Sequence, residues 1–291
     1  MRSRHLLAVV ALSLLAVAGP AVAQTVRVGS KNFTEQFILA ELYAQVLEAN
    51  GIKVERKVNL GGTLIAHKAL EEKQIHMYPE YTGTMLLAVL KQDAMTDRKA
   101  VYDKVKSEYA TKGLVLLNEA PVNNTYNMVV RPETAAQYHL QTLSDLAKVS
   151  KNLKLGAGPE FRDRKDGLPG LKATYNMEFK EDLQMAIGLR YQALANKSID
   201  VVNGYSTDGM ISSLKLKRLK DDRNLWPPYY VVPVVRKETL DANPKVADVL
   251  NRVSASLSES EMAKMNYKVD GEKMEPRDVA HDFLKAKGLA K

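Results

Sequence analysis

The spacing of apolar residues alternates along the chain between the two-residue period of strands and the longer period of helices. The segment 25–28 reads as a strand, and apolar positions between 38 and 49 share one helical face. Asn32 and Glu35, three residues apart, predict an N-cap with its capping-box partner for that helix. Further helices are predicted at 64–73, 97–111, 143–149 and 183–196, and further strands at 52–60, 75–78, 114–117, 126–130, 154–156, 199–202 and 231–235. This alternation predicts an α/β protein.

The order of these elements predicts two lobes. A second unit begins near Asn124, and Pro227 and Pro228 interrupt the chain before the strand 231–235 returns to the first unit. We expect a first lobe of residues 24–124 and 230–291 and a second lobe of residues 125–229, each a mostly parallel sheet flanked by helices. A cleft between two lobes is a common place for a small ligand.

The first residues have the pattern of an export signal. Arg2 and Arg4 precede an apolar run at 6–18, and Ala21-Val22-Ala23 follows as a small-x-small cleavage pattern. The run is short for a bilayer span, which favours a cleaved peptide over a membrane anchor. We therefore predict a signal peptide of residues 1–23 and a soluble, periplasmic mature protein.

Composition narrows the function classes. The 291 residues include no cysteine, which excludes disulfides, thiolate metal ligands, a cysteine nucleophile and a lipidated cysteine. Lys and Arg number 42 against 34 Asp and Glu, a formal net charge of +8. Because basic residues are interleaved with acidic ones and export separates the protein from chromosomal DNA, we expect no nucleic-acid partner.

Motifs of catalysis are missing from the sequence. None of the five histidines forms an H-x-x-x-H pair, and the glycines at 61–62 and 156–158 lack the spacing of a phosphate loop. No G-x-S-x-G elbow is present. The sequence predicts neither a metal site nor a cofactor, and a binding protein rather than an enzyme.

Tyrosine is the aromatic residue that stands out, with 13 tyrosines against five phenylalanines and one tryptophan. Four separated segments carry Tyr78 and Tyr81, Tyr126, Tyr205, and Tyr229 and Tyr230, and several of these tyrosines lie at strand ends or in turn-rich stretches, where binding residues concentrate. Packing alone explains any single one of them. If the four converge, their ring faces form a box suited to a quaternary ammonium group, which cannot donate hydrogen bonds.

Seven short motifs together resemble the substrate-binding proteins of ABC importers for glycine betaine, choline and related quaternary amines, the family of ProX and OpuC. They span nearly the whole predicted mature chain: GSKNFTEQ at 29–36, LGGT at 60–63, YPEYTGT at 78–84, NNTY at 123–126, PEFRDRKDGLPGL at 159–171, YSTDG at 205–209 and WPPY at 226–229. The resemblance implies a two-lobed periplasmic binding protein of type II that closes over its ligand.

The resemblance also implies a role for single residues. The aromatic box of the family falls on Tyr81, Tyr126, Tyr205 and Tyr229. The groups that hold a ligand carboxylate fall on Lys31, Thr84 and Arg164. Asn124 occupies a position that is acidic or amide in relatives, with a contribution through its backbone carbonyl. Lys31 and Arg164 favour a zwitterion such as glycine betaine or proline betaine.

The partners implied by the resemblance are a membrane permease and its cytoplasmic ATPase, with the binding protein itself a monomer. Two alternatives stay open. One is a binding protein of the same fold for choline, carnitine or an amino acid, and the other is an exported enzyme on this scaffold.

Overall fold

The computed structural model describes residues 25–186 and 188–290, so the predicted signal peptide lies outside the described residues. The strands are β1 Val26–Gly29, β2 Val54–Lys57, β3 Met77–Tyr81, β4 Leu114–Leu116, β5 Tyr126–Val130, β6 Lys154–Ala157, β7 Glu181–Gln184, β8 Val201–Tyr205, β9 Lys217–Leu219 and β10 Val231–Arg236. They form two five-stranded sheets, in the orders β2-β1-β3-β10-β4 and β7-β6-β8-β5-β9.

Helices flank both sheets. They are α1 Thr34–Ala49, α2 Thr63–Glu71, α3 Thr82–Thr84 (continued by a π-helical turn, Met85–Val89), α4 Arg98–Ala110, α5 Pro132–Gln137, α6 Leu143–Val149, α7 Pro159–Asp163, α8 Leu168–Tyr175, α9 Arg190–Ala195, α10 Gly209–Ser213, α11 Lys237–Ala242, α12 Lys245–Ser256, α13 Glu259–Asp270 and α14 Pro276–Ala286. No helix among the described residues combines the length and apolar character needed to cross a bilayer.

Each sheet is mixed, with four strands in one direction and one opposed. β10 runs antiparallel to its neighbours β3 and β4, and β5 runs antiparallel to β8 and β9. The chain passes from the first sheet to the second between β4 and β5 and returns between β9 and β10. The two crossings touch, because Asn123 and Tyr230 form an isolated antiparallel bridge. The predicted α/β class is confirmed.

The start of α1 differs from the prediction. Phe33, not Asn32, occupies the N-cap position, and its side chain makes no capping hydrogen bond. Glu35 is buried and accepts hydrogen bonds from distant segments instead of capping its own helix. By contrast, the predicted Thr142 cap of α6 is confirmed, as one half of a capping box with Asp145.

Two further predictions of element bounds are wrong. Strand β3 continues through Pro79 to Tyr81 instead of ending before it. Pro79 lies opposite Pro233 of β10, and the pairing of β3 with β1 has already ended at Met77, so the ladder tolerates a residue without an N–H there. The predicted helix at 183–196 begins only at Arg190, because residues 181–184 form the edge strand β7.

Helix α1 forms the centre of the largest apolar core. Its buried residues extend around most of the helix because it packs against α12, α13 and α14 as well as against the first sheet. Helix α13 also packs against α10, which follows the second sheet's strand β8. The N-terminus of α1 is thereby fixed next to residues that come from both sheets.

Candidate functional site

All eight predicted site residues line one small cavity between the two sheets. They are Lys31, Tyr81, Thr84, Asn124, Tyr126, Arg164, Tyr205 and Tyr229, and Phe33 and Glu160 complete the lining. The cavity has a volume of about 20 Å³, room for about one water molecule.

The four tyrosines converge because of how the strands end. Tyr81 is the last residue of β3, and Tyr205 is the last residue of β8. Tyr126 is the first residue of β5, but β5 runs antiparallel to β8, so that Tyr126 lies directly opposite Tyr205. The Tyr126 ring centroid is 5.2 Å from that of Tyr205 and 5.7 Å from that of Tyr229. Burial raises the pKa of each of the four hydroxyls, which keeps them neutral.

Phe33 is a fifth aromatic residue, which sequence reasoning missed. Its ring lies nearly parallel to the rings of Tyr81 and Tyr205, with centroids 6.3 Å and 6.1 Å apart. Its sequence signal is its place in the motif GSKNFTEQ, two residues after Lys31. Phe33 thus links the aromatic residues of the first sheet to those of the second.

A glycine allows Tyr229 to reach the cavity. A Cβ atom on Gly83 would come within 2.7 Å of the carbonyl oxygen of Pro228 and 2.8 Å of Cδ1 of Tyr229. Such short distances are steric clashes, so the YPEYTGT and WPPY motifs approach each other only with glycine at this position. The motif spacing in the sequence could not reveal this contact.

Lys31 is paired with a buried carboxylate. Its Nζ lies 2.5 Å from Oε1 of Glu80, and the two side chains are 3% and 0% exposed. Glu80 also accepts hydrogen bonds from the Tyr81 N–H and the Tyr78 hydroxyl. The Lys31 ammonium lies 4.7 Å from the centroid of the Tyr81 ring, so this tyrosine already faces a cation of the protein itself.

Arg164 is paired in the same way with Asp166. Nε donates to Oδ1 at 2.8 Å and Nη2 donates to Oδ2 at 2.5 Å. The Asp166 carboxylate also accepts from the Tyr229 hydroxyl at 2.5 Å, and its side chain is 3% exposed. Arg164 and Asp166 lie in the charged sequence run 162–166, and the structure buries their ion pair at the cavity wall.

Glu35 is a buried carboxylate with four neutral hydrogen-bond donors. Its Oε1 accepts from the Tyr81 hydroxyl at 2.9 Å and the Asn124 amide at 2.7 Å. Its Oε2 accepts from the Thr207 hydroxyl at 2.5 Å and the Asn266 amide at 2.9 Å. Burial raises the pKa of Glu35, although these hydrogen bonds oppose the shift. The carboxylate joins α1, the end of β3, the first crossing segment and the turn after β8.

A second carboxylate connects the two sides of the cavity. Glu160, at the start of α7, accepts from the backbone N–H of Thr63 at 2.5 Å and from its hydroxyl at 3.2 Å. Thr63 begins α2, whose N-terminus favours an anion. A Cβ atom on Gly62 would lie 2.3 Å from Oε1 of Glu160, so any other residue at this position would displace the Glu160 carboxylate.

Comparison with known proteins places the chain among transport proteins. Residues 24–286 match the substrate-binding domain of ABC-type glycine betaine transport systems. The carnitine transport binding protein OpuCC of Listeria monocytogenes is 36% identical over 264 residues, which cover 89% of this chain and 86% of that protein. A glycine-betaine-binding protein of Pseudomonas aeruginosa is 37% identical over 282 residues, 93% of this chain and 90% of that protein.

A solved structure agrees with these relatives. The crystal structure of a glycine betaine/carnitine/choline ABC transporter is 35% identical, with a TM-score of 0.76, over 91% of this chain and 99% of that chain. The predicted two-lobed type II binding-protein fold, with its mixed sheets flanked by helices, is confirmed. The chain therefore belongs to the family of substrate-binding domains of ABC-type glycine betaine transport systems.

Proposed function

We propose that this protein captures glycine betaine or a related quaternary amine in the aromatic box and delivers it to a membrane permease. The observation that carries the proposal is the convergence of Tyr81, Tyr126, Tyr205 and Tyr229 on one cavity between the sheets. A methylated ammonium gains about 0.5–2 kcal/mol from each desolvated ring face. Choline and carnitine share this head group and are the alternative ligands of the same site.

The proposed mechanism is closure of two lobes over the ligand. Residues 24–124 and 230–291 form the first lobe and 125–229 the second. The first lobe contributes Tyr81 to the box, and the second contributes Tyr126, Tyr205 and Tyr229. A ligand that contacts both sides binds the closed form better than the open form and shifts the population toward it. The hydrogen bonds that Thr63 donates to Glu160 and Thr207 donates to Glu35 support this closed form.

The proposed setting follows from the family and from the predicted signal peptide. The protein works as a monomer in the periplasm, the permease lies in the inner membrane and a cytoplasmic ATPase drives uptake. No reaction is proposed, so the ligand leaves unchanged. Recovery of a chemically altered amine after incubation would instead support an exported enzyme.

Titration calorimetry with glycine betaine, choline, carnitine and lysine tests the ligand class. We expect Tyr205→Leu to weaken quaternary-amine binding about tenfold, the loss of one ring face. Tyr205→Phe is the matched control, because it keeps the ring and removes only the hydroxyl, and its affinity stays near that of the wild type. Micromolar binding of lysine without binding of any quaternary amine would contradict the proposal.

The single tryptophan supplies an optical signal for the same titration. The ring centroids of Trp226 and Tyr126 lie 5.9 Å apart, and Nε1 of Trp226 donates to the backbone carbonyl of Asp166 at 2.8 Å. We expect its fluorescence to change when a ligand displaces the Tyr126 ring. Calorimetric binding with no change in fluorescence would place the ligand away from the box.

A further inference from the structure

Both cations that line the cavity are neutralised by carboxylates of the protein itself. Lys31 forms an ion pair with Glu80, and Arg164 forms a bidentate ion pair with Asp166 through Nε and Nη2. A second carboxylate is also close to Arg164, because Oε2 of Glu160 lies 4.0 Å from Nη1. A ligand carboxylate that approaches Arg164 therefore meets a guanidinium whose charge is compensated by Asp166 and further weakened by Glu160.

We propose that Asp166 determines how strongly the site prefers a zwitterionic quaternary amine to a cationic one. This inference rests on the proposed function and concerns selectivity within it. While Asp166 holds the guanidinium, Arg164 contributes little attraction to a ligand carboxylate. Loss of the Asp166 charge releases a full positive charge next to the box, which attracts glycine betaine but repels choline.

Asp166 also positions the box itself. Its Oδ2 accepts from the Tyr229 hydroxyl, and its backbone carbonyl accepts from Nε1 of Trp226. Removal of this side chain therefore disturbs one tyrosine wall, and that disturbance weakens every ligand that uses the wall. The ratio of the two dissociation constants cancels the common loss and leaves the effect of charge.

Asn124 adds an independent observation about the ligand tail. Its amide nitrogen donates to Glu35, while its Oδ1 is buried, belongs to a residue that lines the cavity and has no hydrogen-bond partner among residues 25–186 and 188–290. An unpaired acceptor suits a hydroxyl donor and repels a carboxylate. With Asp166 in place, the cavity therefore offers a ligand alcohol a partner that it does not offer a ligand carboxylate.

The test compares glycine betaine with choline by calorimetry in the full chain. For Asp166→Asn, we expect the ratio of the choline to the glycine betaine dissociation constant to rise about tenfold over the wild type. Asp163→Asn is the matched control, because it removes the same charge three residues away at an exposed position, and it leaves the ratio unchanged. For Asp166→Glu, which keeps the negative charge, we expect a ratio of dissociation constants near that of the wild type.

A double variant provides a second, independent measurement. Arg164→Met with Asp166→Asn removes both charges and keeps an acceptor for Tyr229, so the ratio stays within about threefold of the wild type if the pair is self-neutralised. A selective loss of glycine betaine binding in this variant, or an unchanged ratio in Asp166→Asn, would overturn the inference alone. A wild-type protein that binds neither compound would overturn the proposed function and this inference with it.

Discussion

Two buried glutamates lie on opposite sides of Tyr81 and are stabilised by different means. Glu80 accepts from the Tyr81 backbone N–H and is paired with the ammonium of Lys31. Glu35 accepts from the Tyr81 hydroxyl and is surrounded by four neutral donors, and no cation among the described residues hydrogen-bonds to it. One carboxylate is compensated by charge, and the other by dipoles alone.

The difference shows how the site separates two tasks. The Glu80 pair belongs to a single sheet and its neighbouring loops, so it holds the first half of the cavity whether or not the lobes are closed. The Glu35 contacts include Thr207, which follows the second sheet's strand β8, and Asn266 of α13. Glu35 therefore depends on the relative position of the two sheets, and the following experiments separate the two glutamates.

The largest expected effect is the loss of the Glu80 charge. Glu80→Gln leaves the Lys31 ammonium buried without a counter-ion, and we expect a loss of about 3–5 kcal/mol in the free energy of unfolding. Chemical denaturation measures it. The control is Asp103→Asn: Asp103 pairs with Lys99 at the same 2.5 Å distance, but their side chains are 53% and 83% exposed. This surface pair contributes less than about 1 kcal/mol.

The double variant Lys31→Met with Glu80→Gln sharpens this prediction. Because no buried charge is left unpaired, most of the lost stability returns. If the double variant stays as unstable as Glu80→Gln alone, the cost comes from the hydrogen bonds to Tyr78 and Tyr81 and not from the Lys31 charge.

A smaller loss is expected from Glu35→Gln. Each oxygen of Glu35 accepts from one hydroxyl and one amide, so the NH₂ group of a glutamine faces an asparagine Nδ2. It stays unsatisfied unless that asparagine turns over to present its Oδ1, which breaks the wild-type arrangement of the site. One unsatisfied buried donor costs about 1–3 kcal/mol. Glu48→Gln, on the exposed side of the same helix, is the control and changes stability little. Equal losses in the two variants would mean that the Glu35 contacts contribute no stability.

The smallest effect is a dependence of stability on pH. Burial raises the pKa of Glu35 above its usual value of 4.5, so the folded state binds the proton more tightly than the unfolded state. The stability that this tighter proton binding contributes is complete below the pKa of the unfolded state, and it is lost as the pH rises through the raised pKa of the folded state. Each tenfold difference in proton affinity between the two states corresponds to about 1.4 kcal/mol. The stability advantage of the wild type over Glu35→Gln should therefore shrink from pH 4.5 to neutral pH in urea denaturation. An advantage that grows with pH would mean that the hydrogen bonds lower the pKa.

The positions of the site residues could be predicted, and their partners could not. The family resemblance assigns Tyr81, Tyr126 and Tyr205 to the aromatic box, and the antiparallel register of β5 with β8 brings Tyr126 and Tyr205 opposite each other. Sequence reasoning missed Glu80 and Asp166 although both lie in the family motifs. Asp166 belongs to a charged run, which looks solvated until its burial is known, and the pairing of Glu80 with Lys31 joins segments 49 residues apart. Local spacing assigns Glu35 to a capping box, but tertiary contacts determine its role.

The sequence by itself determined the alternation of strands and helices, the family and the residue types of the site, because these follow from periodicity and from short motifs that survive in linear order. Only the tertiary structure decided that Lys31 and Arg164 are already paired, that Pro79 lies within a strand and that Phe33 joins the box. The physical reason is that charge compensation, strand pairing and ring contact depend on distances between segments far apart in the chain. Spacing along the chain carries no information about those distances.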